Sequence, residues 1–166
     1  MSSSTAKRAL LYRFDRLPTE VIVGVGTYLL EQGLEFITAD GNLQRLPFAE
    51  VKALCFFSEI GPADLFTNHN LFERRPKVPG LWTRFTFRDG DHLDGILSHN
   101  LLEWPTAGYL VTPPGAGSNR QRVLIPRAAV IGTELRGVVG RSAVATRQPG
   151  KIDQAADANA QLRMFE

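Results

Sequence analysis

Five side chains able to bind a metal or move a proton crowd into one short stretch, "FRDGDHLDGILSHN" at residues 87–100: Asp89, Asp91, His92, Asp94 and His99. Such density suggests a cation site, and a zinc centre needs three or four ligands converging on one point. Strand alternation pulls these residues apart. His92, Asp94, Ile96 and Ser98 share one face of an extended chain, while Leu93, Gly95, Leu97 and His99 share the other. One face then offers two ligands, so no metal centre is expected. Asp89-Gly90 fits the type I′ turn of a hairpin, with glycine supplying a positive φ. The stretch reads as a hairpin whose acids lie in its turn and on its surface.

Other reactive constellations are missing from the chain. There is no G-x-S-x-G elbow, no H-E-x-x-H and no phosphate-loop lysine motif. The glycine pair in "GVGTYL" lacks the third glycine of a dinucleotide fingerprint and reads as strand interior. Cys55, the only cysteine, sits in the apolar run "ALCFF" and reads as a small buried hydrophobe. Neither catalytic residues nor a cofactor can be assigned, and a non-enzymatic protein is expected.

The elements that would position any site emerge from an internal repeat. "LPFAEVKAL" (46–54) and "IPRAAVIGT" (125–133) match at aliphatic, Pro, Ala and Val: Leu46, Pro47, Ala49 and Val51 lie 79 residues before Ile125, Pro126, Ala128 and Val130. "LEFITADG" (34–41) matches "GYLVTPPG" (108–115), and "YRFDRLPTEVIVGVG" (12–26) matches "FTFRDGDHLDGILS" (85–98), with Gly24 set against Gly95. The offsets of 71, 74 and 79 place insertions in loops near 100–107 and 113–120. Each copy reads as a hairpin, a third strand, a fourth strand ended by proline, a single helical turn and a fifth strand. Five short strands with one turn before the last predict a small, strongly bent barrel. Gly24 and Gly95 would serve as its corners.

The expected fold is therefore mainly β, with two tandem five-stranded small barrels. The first spans residues 1–57 and the second 81–140. Residues 58–80 would be a packed connector, since Leu65, Phe66, Leu71 and Phe72 are too apolar for a free linker. Residues 141–166 read as a flexible tail with a short helix capped by Asp153.

"FRDGDHLDGIL" and "VLIPRAAV" resemble the strand-turn-strand and the later aliphatic-Arg-Gly motif of Sm-like barrels, a class of the SH3-type small barrels. The resemblance covers residues 81–139, and the first copy shares it through the repeat. The tandem arrangement also looks like an uncharacterised bacterial family of tandem-barrel proteins, which implies no particular function. Sm-like proteins often bind RNA through an Asp and an Asn after the second strand and the Arg of the later motif. Arg127 alone stands in such a place. No Asp or Asn falls at the family's spacing from Gly95, Ala128 replaces the motif's Gly, and Phe48 stands where the first copy would need Arg.

Charge adds two candidate binding features. Residues 1–110 hold 11 Lys+Arg against 13 Asp+Glu, whereas residues 111–166 hold 8 against 4, and 7 of those 8 are arginines. Guanidinium groups grip phosphate with two donors and stack on bases. Arg120, Arg122 and Arg127, with Arg74 and Arg75 in the connector, form the candidate surface for RNA or single-stranded DNA. The other reading of "SNRQRVLIPR" is an edge strand protected by charge. At the end of the chain, Gln161, Leu162, Met164 and Phe165 look like the Gln-Leu-x-Leu/Met-Phe peptide by which bacterial replication and repair proteins dock on the sliding clamp. The alternative there is an amphipathic helix covering a barrel.

No 18-residue apolar run could span a membrane, and the first residues lack the apolar stretch of a secretory signal. A cytoplasmic binding or scaffold module is expected, with another protein as its partner, nucleic acid as the alternative, and strand edges that could support a homo-oligomer.

Overall fold

The computed structural model describes residues 5–57, 65–66, 70–115 and 120–140. Ten strands account for most of them: β1 (Ala6–Arg13), β2 (Thr19–Gly24), β3 (Gly33–Thr38), β4 (Leu43–Pro47), β5 (Val51–Phe57), β6 (Gly80–Phe87), β7 (His92–Leu97), β8 (Gly108–Val111), β9 (Arg120–Pro126) and β10 (Val130–Val139). The protein is mainly β, as its alternating and β-branched runs imply. Single 3₁₀ turns lie at Phe48–Glu50, Leu101–Glu103 and Arg127–Ala129. No helix among the described residues is long and apolar enough to cross a membrane. The expected C-terminal helix and the peptide at 161–165 lie outside the described residues.

Proline sets the joints. Pro47 and Pro126 each end a strand in the extended conformation, with φ −60°, ψ 145° and φ −62°, ψ 144°, immediately before a 3₁₀ turn. Their rings fix φ and offer no donor, so the ladder stops there. The strands that follow, β5 and β10, begin at Val51 and Val130, where the repeated motif places them.

All strand pairs are antiparallel. One sheet runs β4-β3-β2-β1-β5-β9-β8, and a second runs β10-β6-β7. A bridge between Ile96 and Thr112 links β7 to β8, with both N–H···O bonds made at 2.9 and 3.0 Å. The ten strands therefore follow one another as a ribbon, with β4 and β10 at its two ends.

The expected closure into two five-stranded barrels is not what this pairing gives. Among the described residues β4 does not pair with β5, nor β9 with β10, and the sheets stay open. The reason lies in β5. Its sequence, VKALCFF, is buried at all seven positions, as expected of a strand covered on both faces. It sits mid-sheet between β1 and β9, with Leu54 opposite Leu124 and Cys55 opposite Val123. This also corrects the reading of β9 as a charged edge, since β9 is paired on both sides.

Two apolar cores flank that wall. Val51, Leu54 and Phe56 join Ala9, Leu11, Val21, Val23, Leu34 and Phe36, and Leu124 of β9 completes this core. Ala53 and Cys55 join Phe85, Phe87, Leu93, Val111, Val123 and Ile125 in the other. From the connector, Leu65 is fully buried in the second core, and its N–H donates to the Tyr12 hydroxyl at 2.9 Å.

Two details differ from expectation. The β6–β7 turn is a three-residue loop. The N–H of Gly90 donates to the carbonyl of Phe87 at 2.9 Å, and that of Phe87 to the carbonyl of Asp91 at 2.8 Å. Gly90, the last residue of the loop, takes a positive φ of 94°. This is a type I turn followed by a left-handed bulge residue rather than type I′. The β3–β4 loop repeats it, with Gly41 at φ 86° between Thr38 and Asn42. Second, Gly24 lies opposite Ala6 while Gly95 lies opposite Thr83. Gly24 closes the ladder of its hairpin whereas Gly95 stands in the middle of its own, so the two glycines have different roles. A Cβ on Gly95 would come 2.6 Å from Val111 of β8; close strand approach, not a shared corner, requires it.

Candidate functional site

One concavity is lined by residues from both halves of the chain. Lys7 of β1, Val25 and Tyr28 after β2, Phe56 of β5, Leu110 of β8 and Arg122 of β9 line a cleft of about 270 Å³. Its floor is aromatic: the Tyr28 and Phe56 rings meet edge to face, 5.6 Å between centroids at 84°. Both rings are almost fully buried in the first core. β9 supplies Arg122 to this place because Arg122 and Leu124 share a strand face, and Leu124 is buried in that same core.

Two cations stand at its rim. Lys7 and Arg122 are exposed, and among the described residues neither makes an ion pair. Burial pushes the Tyr28 phenol above its ordinary pKa, and the guanidinium of Arg122 pulls it the other way. The net shift is upward, so the hydroxyl stays protonated at neutral pH and available as a donor. Arg122 also borders a second hollow of about 510 Å³ lined by Ile96, Ser98, His99, Asn100 and Thr112. The arrangement offers an apolar slot with positive charge on two sides, suited to an anion carrying a flat apolar body.

The remaining sequence candidates are dispersed. Arg120 lies on β9 opposite Phe57. Arg127, the first residue of the 3₁₀ turn that follows β9, stands over the Tyr109 ring at 5.2 Å. Arg75 donates to the carbonyl of Val138 at 2.7 Å, securing the end of β10, and Arg74 is exposed. Arg122 shares its cleft with Lys7, not with these arginines. Lys7, Tyr28 and Phe56 were not visible as site residues in the sequence. Tyr28 and Arg122 meet only because β9 crosses to β5.

Among the acids of residues 87–100, Asp89 is exposed in the turn and Asp91 partly so, as expected, whereas Asp94 is a structural pin rather than a surface group. Asp94 is fully buried. It accepts from Arg84 at 2.7 and 3.1 Å, from the Trp82 indole at 3.1 Å and from the N–H of Phe72 at 2.9 Å. Burial alone would raise its pKa, but these donors together hold the carboxyl below its ordinary value. Asp89 and Asp91 both grip the ammonium of Lys52, Asp89 at 2.6 Å. Lys52 is itself nearly buried and lies over the Phe66 ring at 4.0 Å. His92 meets the Thr86 hydroxyl at 3.1 Å, and His99 the carbonyl of Val139 at 3.2 Å. No cluster of three metal-ligating side chains occurs among the described residues.

Residues 5–137 match the model of a family described as a family of unknown function (DUF6982), in one span that runs through both halves of the ribbon. No curated protein and no solved structure shows a significant match.

Proposed function

The chain belongs to that family of unknown function, and from its own residues we propose a binding or scaffold module made of two Sm-like, SH3-type units, with its ligand in the cleft between them. The cleft carries this reading. It is assembled from both units, its floor is apolar, and its two rim cations are unpaired among the described residues.

The register supports two diverged copies of one unit. In each half the first strand pairs with the second and the fifth, and the third with the fourth. The irregularity between first and fifth strands also recurs. Arg13 and Tyr12 face Val51 and Ala53, and Phe87 and Thr86 face Val130 and Gly132. First-strand residues thus lie 74 apart and fifth-strand residues 79 apart, which puts one insertion between β8 and β9. A module of this kind has another protein as its natural partner.

The rim cations Lys7 and Arg122 favour nucleic acid as a second reading, because phosphate contacts from Lys and Arg supply most of the affinity for a nucleic-acid strand. Fluorescence anisotropy with short single-stranded RNA and DNA, at low and moderate salt, separates the two. Binding that weakens steeply with salt, and falls tenfold or more in a Lys7→Ala/Arg122→Ala variant, selects nucleic acid. Absent binding at low salt leaves the protein-binding module.

A further inference from the structure

The ribbon has two free ends, and they match. In the seam at its centre, β5 pairs with β9: Leu54 faces Leu124 and Cys55 faces Val123. β5 follows a proline-led 3₁₀ turn and β9 precedes one. At the ends of the ribbon the same two kinds of strand each have one edge unpaired among the described residues. β10 follows the turn at Arg127–Ala129, and β4 precedes the turn at Phe48–Glu50.

Transferring the seam gives a register. Moving β5 forward by 79 residues puts Leu54 on Thr133 and Cys55 on Glu134. Moving β9 back by 79 puts Leu124 on Arg45 and Val123 on Gln44. Thr133 then faces Arg45 of another chain and Glu134 faces its Gln44. One step further, Leu135 comes beside Leu43. These two leucines are 60% and 61% exposed on strands with an open edge, and an open strand edge is a template for pairing with another chain. The central seam shifts register at this point, just after Cys55, and Phe56 and Arg122, the residues at the corresponding positions, both line the cleft. Leu135 and Leu43 would therefore lie on a common side of the new ladder. Ile131, 71% exposed, would fall at the level of Pro47.

We propose that β10 of one chain adds to β4 of a second copy in this register, repeating between chains the seam already present within one. The contact is head to tail, so each addition leaves one β4 and one β10 free. It therefore builds closed rings or open fibres rather than two-fold dimers. The proposal does not depend on what occupies the cleft.

Light scattering on the full chain over a wide concentration range tests it. The expected mass exceeds one chain and falls to one chain in Leu135→Lys and in Leu43→Lys. Mixed together, the two variants should form a two-chain species and nothing larger, because each retains one competent edge. A single-chain mass for the unaltered protein at every concentration would overturn the proposal, as would association indifferent to both substitutions. A second arm tolerates any loss of fold in the lysine variants. Arg45→Cys and Thr133→Cys chains, mixed and oxidised, should crosslink as a heterodimer, because this register sets those two residues directly opposite each other, within disulfide reach. Cys55 is fully buried and takes no part. No crosslink above that of either variant alone would reject the register.

Discussion

Asp94 shows how much one side chain can hold. Its carboxylate gathers Arg84 and Trp82 from β6 and the backbone of Phe72 from the connector. Removing one member of a buried ion pair strands the other, at a cost of about 3 kcal/mol. Asp94→Ala should lower stability by that order in a denaturant melt. Because the folded pKa is depressed, the carboxylate stabilises the fold above its unfolded value, near pH 4. That contribution is lost as pH falls through the lower folded value. Thermal midpoints should drop steeply below about pH 4, and the drop should be shallower in Asp94→Asn. The two glycines of the same hairpin should differ. Gly90→Ala places a left-handed residue in open space and should cost about 1 kcal/mol. Gly95→Ala forces a Cβ against Val111 and should cost clearly more. In the sequence Asp94 read as a surface group like Asp89 and Asp91, since nothing local announces that Trp82, Arg84 and Phe72 converge on it. Gly24 and Gly95 looked alike because residue similarity does not count ladder steps.

At the scale of elements, the two halves are latched as well as paired. Lys52 reaches from β5 to both acids of the β6–β7 turn, and Arg88 of that turn donates to the carbonyl of Ala49 beside β5. A double-mutant cycle between Lys52→Met and Asp89→Asn should show coupling of about 1 kcal/mol or more, because Lys52 is nearly buried. Coupling near zero would mean solvent screens the pair as it does on open surfaces. The strands themselves were legible: β5 and β10 begin where the Pro-x-Ala-x-Val motif places them, and Asp89-Gly90 marked the loop between β6 and β7. Pairing between halves was not. A uniformly apolar strand such as VKALCFF advertises two-sided burial but does not say which strand will cover its second edge.

For the molecule as a whole, neither core belongs to one half. Leu124 completes the first core, while Tyr12, Ala53 and Cys55 contribute to the second. The chain should unfold in one cooperative transition by circular dichroism and by Trp fluorescence. Residues 1–57 expressed alone should not give a folded monomer. Two coincident copies of a sequence pattern suggested two self-contained barrels; the pattern recorded the strands and their order, whereas the shared wall depends on which edges meet in space.

That wall also has a consequence during synthesis. β5 leaves the ribosome well before β9, and at about 5–20 residues per second the intervening chain takes several seconds to appear. Throughout that interval the apolar edge of β5 has no strand beside it. The nascent protein must therefore wait, shielded by the ribosome surface or a chaperone. A slow codon run just before β9 should lower its soluble yield, and a faster one should raise it.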